Sequence, residues 1–137
     1  MVIMEEIHEA FDYSDKISVY NDGKVAQYNS GTDNYNTILS GWKCIIEGAH
    51  QMPAFGVSID RLTREELKKG LWVEFDFEKE LKVWEMPFEK LLVNINKDFF
   101  GFNIIRYTAE YGYDGRCFYL DLVNKNMAEF YDLILKI

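Results

Sequence analysis

LWVEFDF (residues 71–77), KLLVNIN (90–96), FNIIRYT (102–108) and RCFYLDL (116–122) follow one another in the second half of the chain. In each segment the side-chain type alternates with period two, which is typical of a strand with one buried face. Strands that are consecutive in sequence usually lie side by side in a sheet. The four segments therefore predict a four-stranded antiparallel meander.

The longest connection in this region is residues 78–88, which contains Trp84, Met86 and Pro87. Apolar residues in a predicted surface loop indicate a segment that folds back over the sheet. Two interpretations stay open for Trp72 and Trp84. If they are exposed, they mark an interaction surface, and if the connection covers that face, they belong to the core.

The first half of the chain predicts a hairpin and one long helix. Residues 16–20 and 24–29 flank Asp22 and Gly23, a pair that tolerates the positive φ of a tight hairpin turn. Apolar residues then recur at spacings of three and four from Tyr35 to Ala49, and Thr32 or Asp33 precedes them as the N-cap. Small residues such as Gly41 on a second stripe of this helix indicate close approach of a neighbouring element.

Shorter helices are predicted at three places. A first helix spans residues 3–11, and a second begins at a capping box formed by Thr63 and Glu66 and closes at Gly70. A C-terminal helix follows an Asn124 or Asn126 cap. The sequence thus predicts a single α+β domain over residues 1–137, with its helices packed on one face of the antiparallel sheet.

The charge balance of the chain disfavours nucleic acid as a partner. The chain has 23 acidic and 15 basic residues, a net charge of -8, and no basic cluster larger than Lys68 and Lys69. Nucleic-acid binding is not expected, because a cationic track is missing.

No apolar run is long enough to cross a membrane. Cys44 and Cys117 lack the spacing of a redox or zinc motif, and we expect a cytoplasmic protein with reduced thiols.

Polar residues on the predicted meander form the candidate site. Glu74 and Asp76 share one face of the first strand, and Tyr119 and Asp121 share one face of the last. Arg106 joins them if Ile105 packs toward the core. The predicted binding residues are Trp72, Glu74, Asp76, Arg106, Tyr119 and Asp121.

An arginine in such a setting suits a carboxylate, a phosphate or a polar anchor in an interface. The competing interpretation is a solvated sheet face, on which opposite charges pair across strands. No nucleophile, metal, phosphate or cofactor motif accompanies these residues. The sequence therefore predicts no catalytic residue, metal or cofactor, and a non-enzymatic protein is favoured.

The leading functional hypothesis is a small acidic intracellular protein that binds another protein, as a regulator or inhibitor of a basic partner. The alternative is a binding protein for a small anionic ligand, or a minor enzyme, with its site around Arg106. A pocket of several hundred Å³ around Arg106 would favour the ligand, and a flat aromatic patch the protein partner. A homodimer through an exposed edge strand is a third hypothesis.

Overall fold

The computed structural model describes residues 2–4, 6–53 and 56–137 and has an α+β fold. The strands are β1 (Val2–Met4), β2 (Lys16–Asn21), β3 (Lys24–Asn29), β4 (His50–Met52), β5 (Val57–Ser58), β6 (Leu71–Val83), β7 (Met86–Ile95), β8 (Gly101–Tyr107), β9 (Gly115–Arg116) and β10 (Phe118–Asp121). The helices are α1 (Ile7–Ala10), which continues into a 3-10 turn (Phe11–Tyr13), α2 (Asp33–Ile46), α3 (Asp60–Glu66) and α4 (Ala128–Leu135).

Eight strands form the main sheet. Seven are ordered β3-β2-β6-β7-β8-β10-β4, each antiparallel to its neighbour, and β1 pairs in parallel with the end of β6. The consecutive neighbours β6, β7, β8 and β10 confirm the predicted meander. A separate antiparallel pair joins β5 to β9.

The predicted N-terminal hairpin is also confirmed. Asn21 pairs with Lys24 across a two-residue turn, in which Asp22 and Gly23 have φ values of 49° and 89°. Positive φ at both central positions is the geometry of a type I′ turn, whose twist matches that of the flanking strands.

The predicted loop over residues 78–88 is wrong, because β6 runs on to Val83 and forms a second tight hairpin with β7. Its turn consists of Trp84 and Glu85, with φ values of 51° and 62°. Neither residue is a usual choice for this conformation, so the turn has no sequence signal. Between the pairs Asp76–Lys90 and Leu81–Phe88, residues 77–80 of β6 face residue 89 of β7 alone, which forms a wide bulge.

Helix α2 begins as predicted, with the Thr32 hydroxyl accepting a hydrogen bond from the Tyr35 backbone N–H at 3.4 Å, but it ends at Ile46, before the predicted Ala49. The small residue Gly41 lets α4 approach, because a Cβ there would lie 3.1 Å from Leu133 Cδ1. Before α4, the Asn126 side chain accepts the Ala128 N–H at 3.0 Å, but the N-cap residue is Met127, so the cap predicted at Asn124 or Asn126 is wrong by at least one position.

Two helix starts differ from the prediction. Helix α1 begins at Ile7, because the backbone at residues 2–4 is extended and pairs with β6. Helix α3 begins at Asp60, and Thr63 is a buried residue inside it whose N–H bonds to Ile59 O at 2.9 Å. The capping-box prediction at Thr63 is therefore wrong, since tertiary burial places this threonine one turn into the helix.

The main core lies between one sheet face and α1, α2 and α4. Trp42 of α2 is fully buried at its centre, with its ring centroid 5.3 Å from Phe11 and 5.6 Å from Phe75. The opposite face carries a smaller cluster in which Trp72, Leu92 and Tyr113 are buried. Leu67, just after α3, packs against this cluster. The prediction that all helices share one face therefore holds for α1, α2 and α4 and is wrong for α3.

Among the described residues, no helix combines the length and the apolar character needed to cross a bilayer.

The Trp84–Glu85 turn can be tested by Glu85→Gly. Glycine has no Cβ and adopts the left-handed conformation without steric strain. We therefore expect the free energy of unfolding to rise by up to ~1 kcal/mol. The measurement is urea unfolding followed by tryptophan fluorescence. The control is Gly23→Ala in the other hairpin, which introduces that strain and should lower the free energy by a similar amount. A loss of stability in Glu85→Gly would contradict the left-handed turn.

Candidate functional site

The sheet register divides the six predicted site residues between two faces. Glu74 lies opposite Leu92, and Leu92 lies opposite Ile105, so these side chains share the face of the smaller cluster. Arg106 lies opposite Leu91, whose partner in β6 is Phe75 of the main core. The expectation that Arg106 joins Glu74 and Asp76 is therefore wrong.

The physical reason is that β8 is apolar on both faces. Phe102 and Ile104 point into the main core, while Ile105 and Tyr107 pack in the smaller cluster. An alternation of polar and apolar residues identifies the buried face of a strand only where the other face is exposed to solvent. Because β8 carries packed apolar residues on both faces, its pattern could not say on which face Arg106 lies.

Glu74 is a buried carboxylate held by side chains from three other segments. It is 1% exposed, and its Oε1 accepts a hydrogen bond from Tyr20 Oη of β2 at 3.2 Å. Oε2 accepts a short hydrogen bond from the hydroxyl of Tyr113, in the loop between β8 and β9. Lys90 Nζ of β7 lies 3.9 Å from Oε1 and 4.8 Å from the centroid of the Tyr107 ring. The carboxylate is thus enclosed and hydrogen-bonded on both oxygens.

The electrostatics of this cluster favour neutral groups. Burial raises the pKa of Glu74 above its ordinary value, although the hydrogen bond from Tyr113 and the charge of Lys90 oppose that shift. Burial, followed by the nearby Glu74 charge, also raises the pKa values of Tyr20 and Tyr113. Both hydroxyls therefore stay protonated and donate to Glu74. Such a cluster can hold segments together and take up a proton, but it offers no nucleophile.

Asp76 extends the cluster toward solvent along β6. Its Oδ2 lies 3.3 Å from Lys16 Nζ of β2, so β2 and β6 are joined by a charge pair as well as by the backbone. This is the cross-strand pairing that the competing interpretation of the sequence expected.

Tyr113 fastens α3 and the β8–β9 loop to the sheet. Its backbone N–H donates to Asp60 Oδ1 at 2.9 Å, and the Arg64 guanidinium lies 5.3 Å from its ring centroid. The hydrogen bond from the Tyr113 N–H, and to a smaller extent the hydrogen bond from Arg64, lower the pKa of Asp60. Its ring also lies 4.9 Å from that of Tyr107. Sequence reasoning missed Tyr113, because it stands in a glycine-rich turn with no periodic pattern.

Arg106 acts mainly as a brace between strands. Its Nε donates to Arg116 O at 2.7 Å, and its Nη1 donates to Pro87 O at 2.8 Å. Gly115, at φ +121°, leaves room for the guanidinium, because a Cβ there would lie 2.9 Å from Nη2. Two of the donors that could bind an anion are therefore already engaged by main-chain carbonyls.

An acidic cleft of about 560 Å³ opens beside Arg106, between the β6–β7 hairpin and residues 108–115. Its carboxylates are Glu80, Glu89, Glu110 and Asp114. Glu89 Oε2 accepts the Ala109 N–H at 2.5 Å, which holds one wall in place. The size of this cleft meets the criterion set for a small ligand, but four acids around one guanidinium do not suit an anion.

The remaining predicted residues lie at the other end of the sheet. Trp72 is 6% exposed and donates from Nε1 to Lys69 O at 2.8 Å. Trp72 and Tyr119 line a hollow of about 320 Å³, in which a Cβ at Gly101 would overlap the Tyr119 hydroxyl. Asp121 Oδ1 accepts the Val123 N–H at 3.0 Å, a local turn contact. Trp72 is thus covered while Trp84 is 43% exposed, so each of the two interpretations of the tryptophans holds for one of them.

Groups suited to catalysis or metal binding are few in the part of the chain that the structure describes. Histidine, cysteine and carboxylate side chains there do not gather in threes around a metal-sized space. Cys117 is buried, and burial raises the pKa of its thiol, although a hydrogen bond with Ser58 opposes this shift. A raised pKa disfavours the reactive thiolate.

Comparison of the chain with models of protein families, with curated proteins and with solved structures finds no match.

The role of Glu74 can be tested through the pH dependence of stability. Because the folded-state pKa of Glu74 is raised, there is a pH range in which Glu74 is protonated in the folded protein and ionised in the unfolded chain. The stability of the wild type relative to Glu74→Gln is therefore fully present below the ordinary carboxyl pKa and falls as pH rises through the folded-state pKa. Urea unfolding of both proteins at a series of pH values measures this difference. Exposed Glu65→Gln serves as the matched control for loss of a carboxylate at the surface, and a Glu74 difference that grows with pH would contradict the buried acid.

The bracing role of Arg106 predicts a loss of stability in Arg106→Met, which keeps the apolar stem. Two carbonyls lose their donors, and we expect the free energy of unfolding to fall by about 1–3 kcal/mol. Arg116→Met removes an exposed cation close by and should change stability by less than about 0.5 kcal/mol. Chemical denaturation of both variants makes the comparison, and equal losses would argue against the brace.

Proposed function

We propose that this chain is an acidic intracellular binding module for a basic protein partner, with the acidic cleft receiving a lysine or arginine side chain. The observation that carries the proposal is the set of four carboxylates around that cleft, opposed by the single guanidinium of Arg106. Through such a contact the chain would act as a regulator or inhibitor of its partner.

The surroundings of Arg106 favour a cationic over an anionic occupant. The guanidinium is held by Pro87 O and Arg116 O, so part of its donor capacity is used within the fold. Glu80 and Glu89 are only partly exposed, and charge interactions at such positions are screened less than in open solvent. The net charge of -8 adds a long-range attraction for basic proteins.

Exposed aromatic surface lies at the same place. Tyr111 is 65% exposed and lines the cleft next to Glu110. Tyrosine supplies a large contact area with few rotatable bonds, and its ring face attracts a guanidinium or ammonium group. A partner segment with a basic residue flanked by apolar ones therefore matches the chemistry of this surface. Residues of the described chain offer no comparable support for catalysis, so the proposed role is non-enzymatic.

The anionic-ligand alternative is kept as the second outcome of the test. It draws support from the volume beside Arg106 and predicts that inorganic phosphate stabilises the protein against thermal unfolding. The basic-partner proposal predicts no stabilisation by phosphate, because the four carboxylates repel it.

The test measures binding of a fluorescent lysine- and arginine-rich peptide by anisotropy. Replacing three acids of the cleft (Glu80→Gln, Glu110→Gln, Asp114→Asn) should weaken binding at least about tenfold, since each lost ion pair contributes about 0.5–1 kcal/mol. Binding should also weaken as salt is raised.

The matched control has the same change in net charge at exposed acids that do not line the cleft (Glu9→Gln, Glu65→Gln, Glu129→Gln). We expect this variant to bind the peptide nearly as well as the wild type. Equal weakening in both triple variants would show a diffuse charge effect and overturn the cleft as the site. Stabilisation by phosphate that disappears in Arg106→Met would support the anionic ligand instead.

A further inference from the structure

The main sheet ends at β3, whose outer edge is open. Asn21 and Lys24 flank the two-residue turn and form a hydrogen-bonded pair, and such pairs alternate along an antiparallel ladder. Ala26 and Tyr28 therefore bond to β2 as well, with Val19 and Ile17 as their partners. The backbone N–H and C=O groups of the intervening residues of β3 point outward, away from the sheet.

The outward groups that remain available belong to Val25 and Gln27. Asn29 C=O is already engaged, because it accepts the Thr32 N–H at 3.2 Å and the Thr32 hydroxyl at 2.8 Å. Among the described residues, the N–H and C=O groups of Val25 and Gln27 have no hydrogen-bond partner. Both residues are exposed, and Val25 is 51% exposed.

This edge lacks the devices that usually prevent strand pairing. Natural edge strands are kept short, bulged, charged or interrupted by proline. Strand β3 is six residues long, pairs with β2 in an unbroken register and contains no proline. Its single charge, Lys24, stands at the turn. The opposite edge of the sheet, β4, is only three residues long.

We propose that β3 pairs antiparallel with β3 of a second copy of the chain, around a two-fold axis at Ala26. In this register Val25 of each copy faces Gln27 of the other, and the two pairs exchange four backbone hydrogen bonds. A register shifted to place Gln27 on the axis would require the C=O of Asn29, which Thr32 already occupies.

The side chains are compatible with this symmetry. Lys24 of one copy lies opposite Tyr28 of the other, where an ammonium group can contact the ring or the hydroxyl. The two Lys24 residues stand at opposite ends of the paired strands, so no like charges meet. The excess negative charge of each copy lies elsewhere and repels the other copy at a distance. Added salt should therefore strengthen the dimer, whereas it should weaken binding of a basic partner in the acidic cleft.

The first experiment measures molar mass by light scattering over a wide range of protein concentration. The wild type should approach the mass of a dimer as concentration rises. Gln27→Pro should remain monomeric, because proline removes an outward N–H and leaves every bond to β2 in place. Gln27→Ala keeps that N–H and should dimerise like the wild type. Far-ultraviolet circular dichroism checks that the proline variant is folded.

The second experiment tests the register and does not depend on proline. In a Cys44→Ser background, Ala26→Cys should form a disulfide-linked dimer on oxidation, because Cα atoms at a non-hydrogen-bonded antiparallel pair are about 4.5 Å apart, within disulfide range. Val25→Cys is the matched control and should not link to itself, since it faces Gln27 of the other copy.

A wild type that stays monomeric at every concentration, or a dimer that persists in Gln27→Pro, would overturn the proposal. Disulfide formation at Val25 in place of Ala26 would overturn the register. Capture of an extended peptide by β3 without dimerisation would show a different occupant of the edge and would also overturn it. Gln27→Pro should still bind the basic peptide, so failure of this proposal and failure of the cleft are separable.

Discussion

Residues 71–75 of β6 are buried on both faces of the strand, and this double burial is the constraint on which the rest of the structure depends. On one face Val73 and Phe75 pack under the helices, with Phe75 centred 4.7 Å from Phe11. On the other face Trp72 and Glu74 are as inaccessible as the core residues. A carboxylate in such a place has to be hydrogen-bonded, because an unpaired buried charge costs several kcal/mol. Tyr20 and Tyr113 meet this need, and in doing so they fix two distant segments on the sheet.

The two polar features of the molecule share one loop. Residues 108–114 carry Tyr113, which is anchored to Glu74 on the small-cluster face. The same loop carries Glu110 and Tyr111, which line the acidic cleft beside Arg106. The proposed binding surface is therefore built on a segment that a buried hydrogen bond holds in place. Rigid support of this kind lowers the conformational entropy that a partner must overcome on binding.

The sequence alone predicts those elements whose local pattern, such as a turn dipeptide or a helical periodicity, agrees with the surroundings that the fold provides. The Asp22–Gly23 turn, the long helix with Trp42 at its centre and the four meander strands all have such signals, and the structure contains each of them. Prediction failed where contacts with residues distant in the sequence, and not the local pattern, decide the position of a residue. Trp84 and Glu85 occupy a turn that other residues prefer, and Thr63 has the chemistry of a cap yet lies inside a helix. The face of Arg106 stays open in the sequence because β8 has apolar residues on both sides, and Tyr113 has no pattern that marks it.

The wide bulge in β6 lets two different segments share one edge of the same strand. Before the bulge that edge pairs with β2, and beyond it Leu81 pairs in parallel with Val2 of β1. These last partners lie far apart in the chain, so their contact closes a very long loop and costs more chain entropy than either local hairpin. Strand β1 therefore adds a long-range pairing to a sheet whose centre is held by the local β6–β7 hairpin.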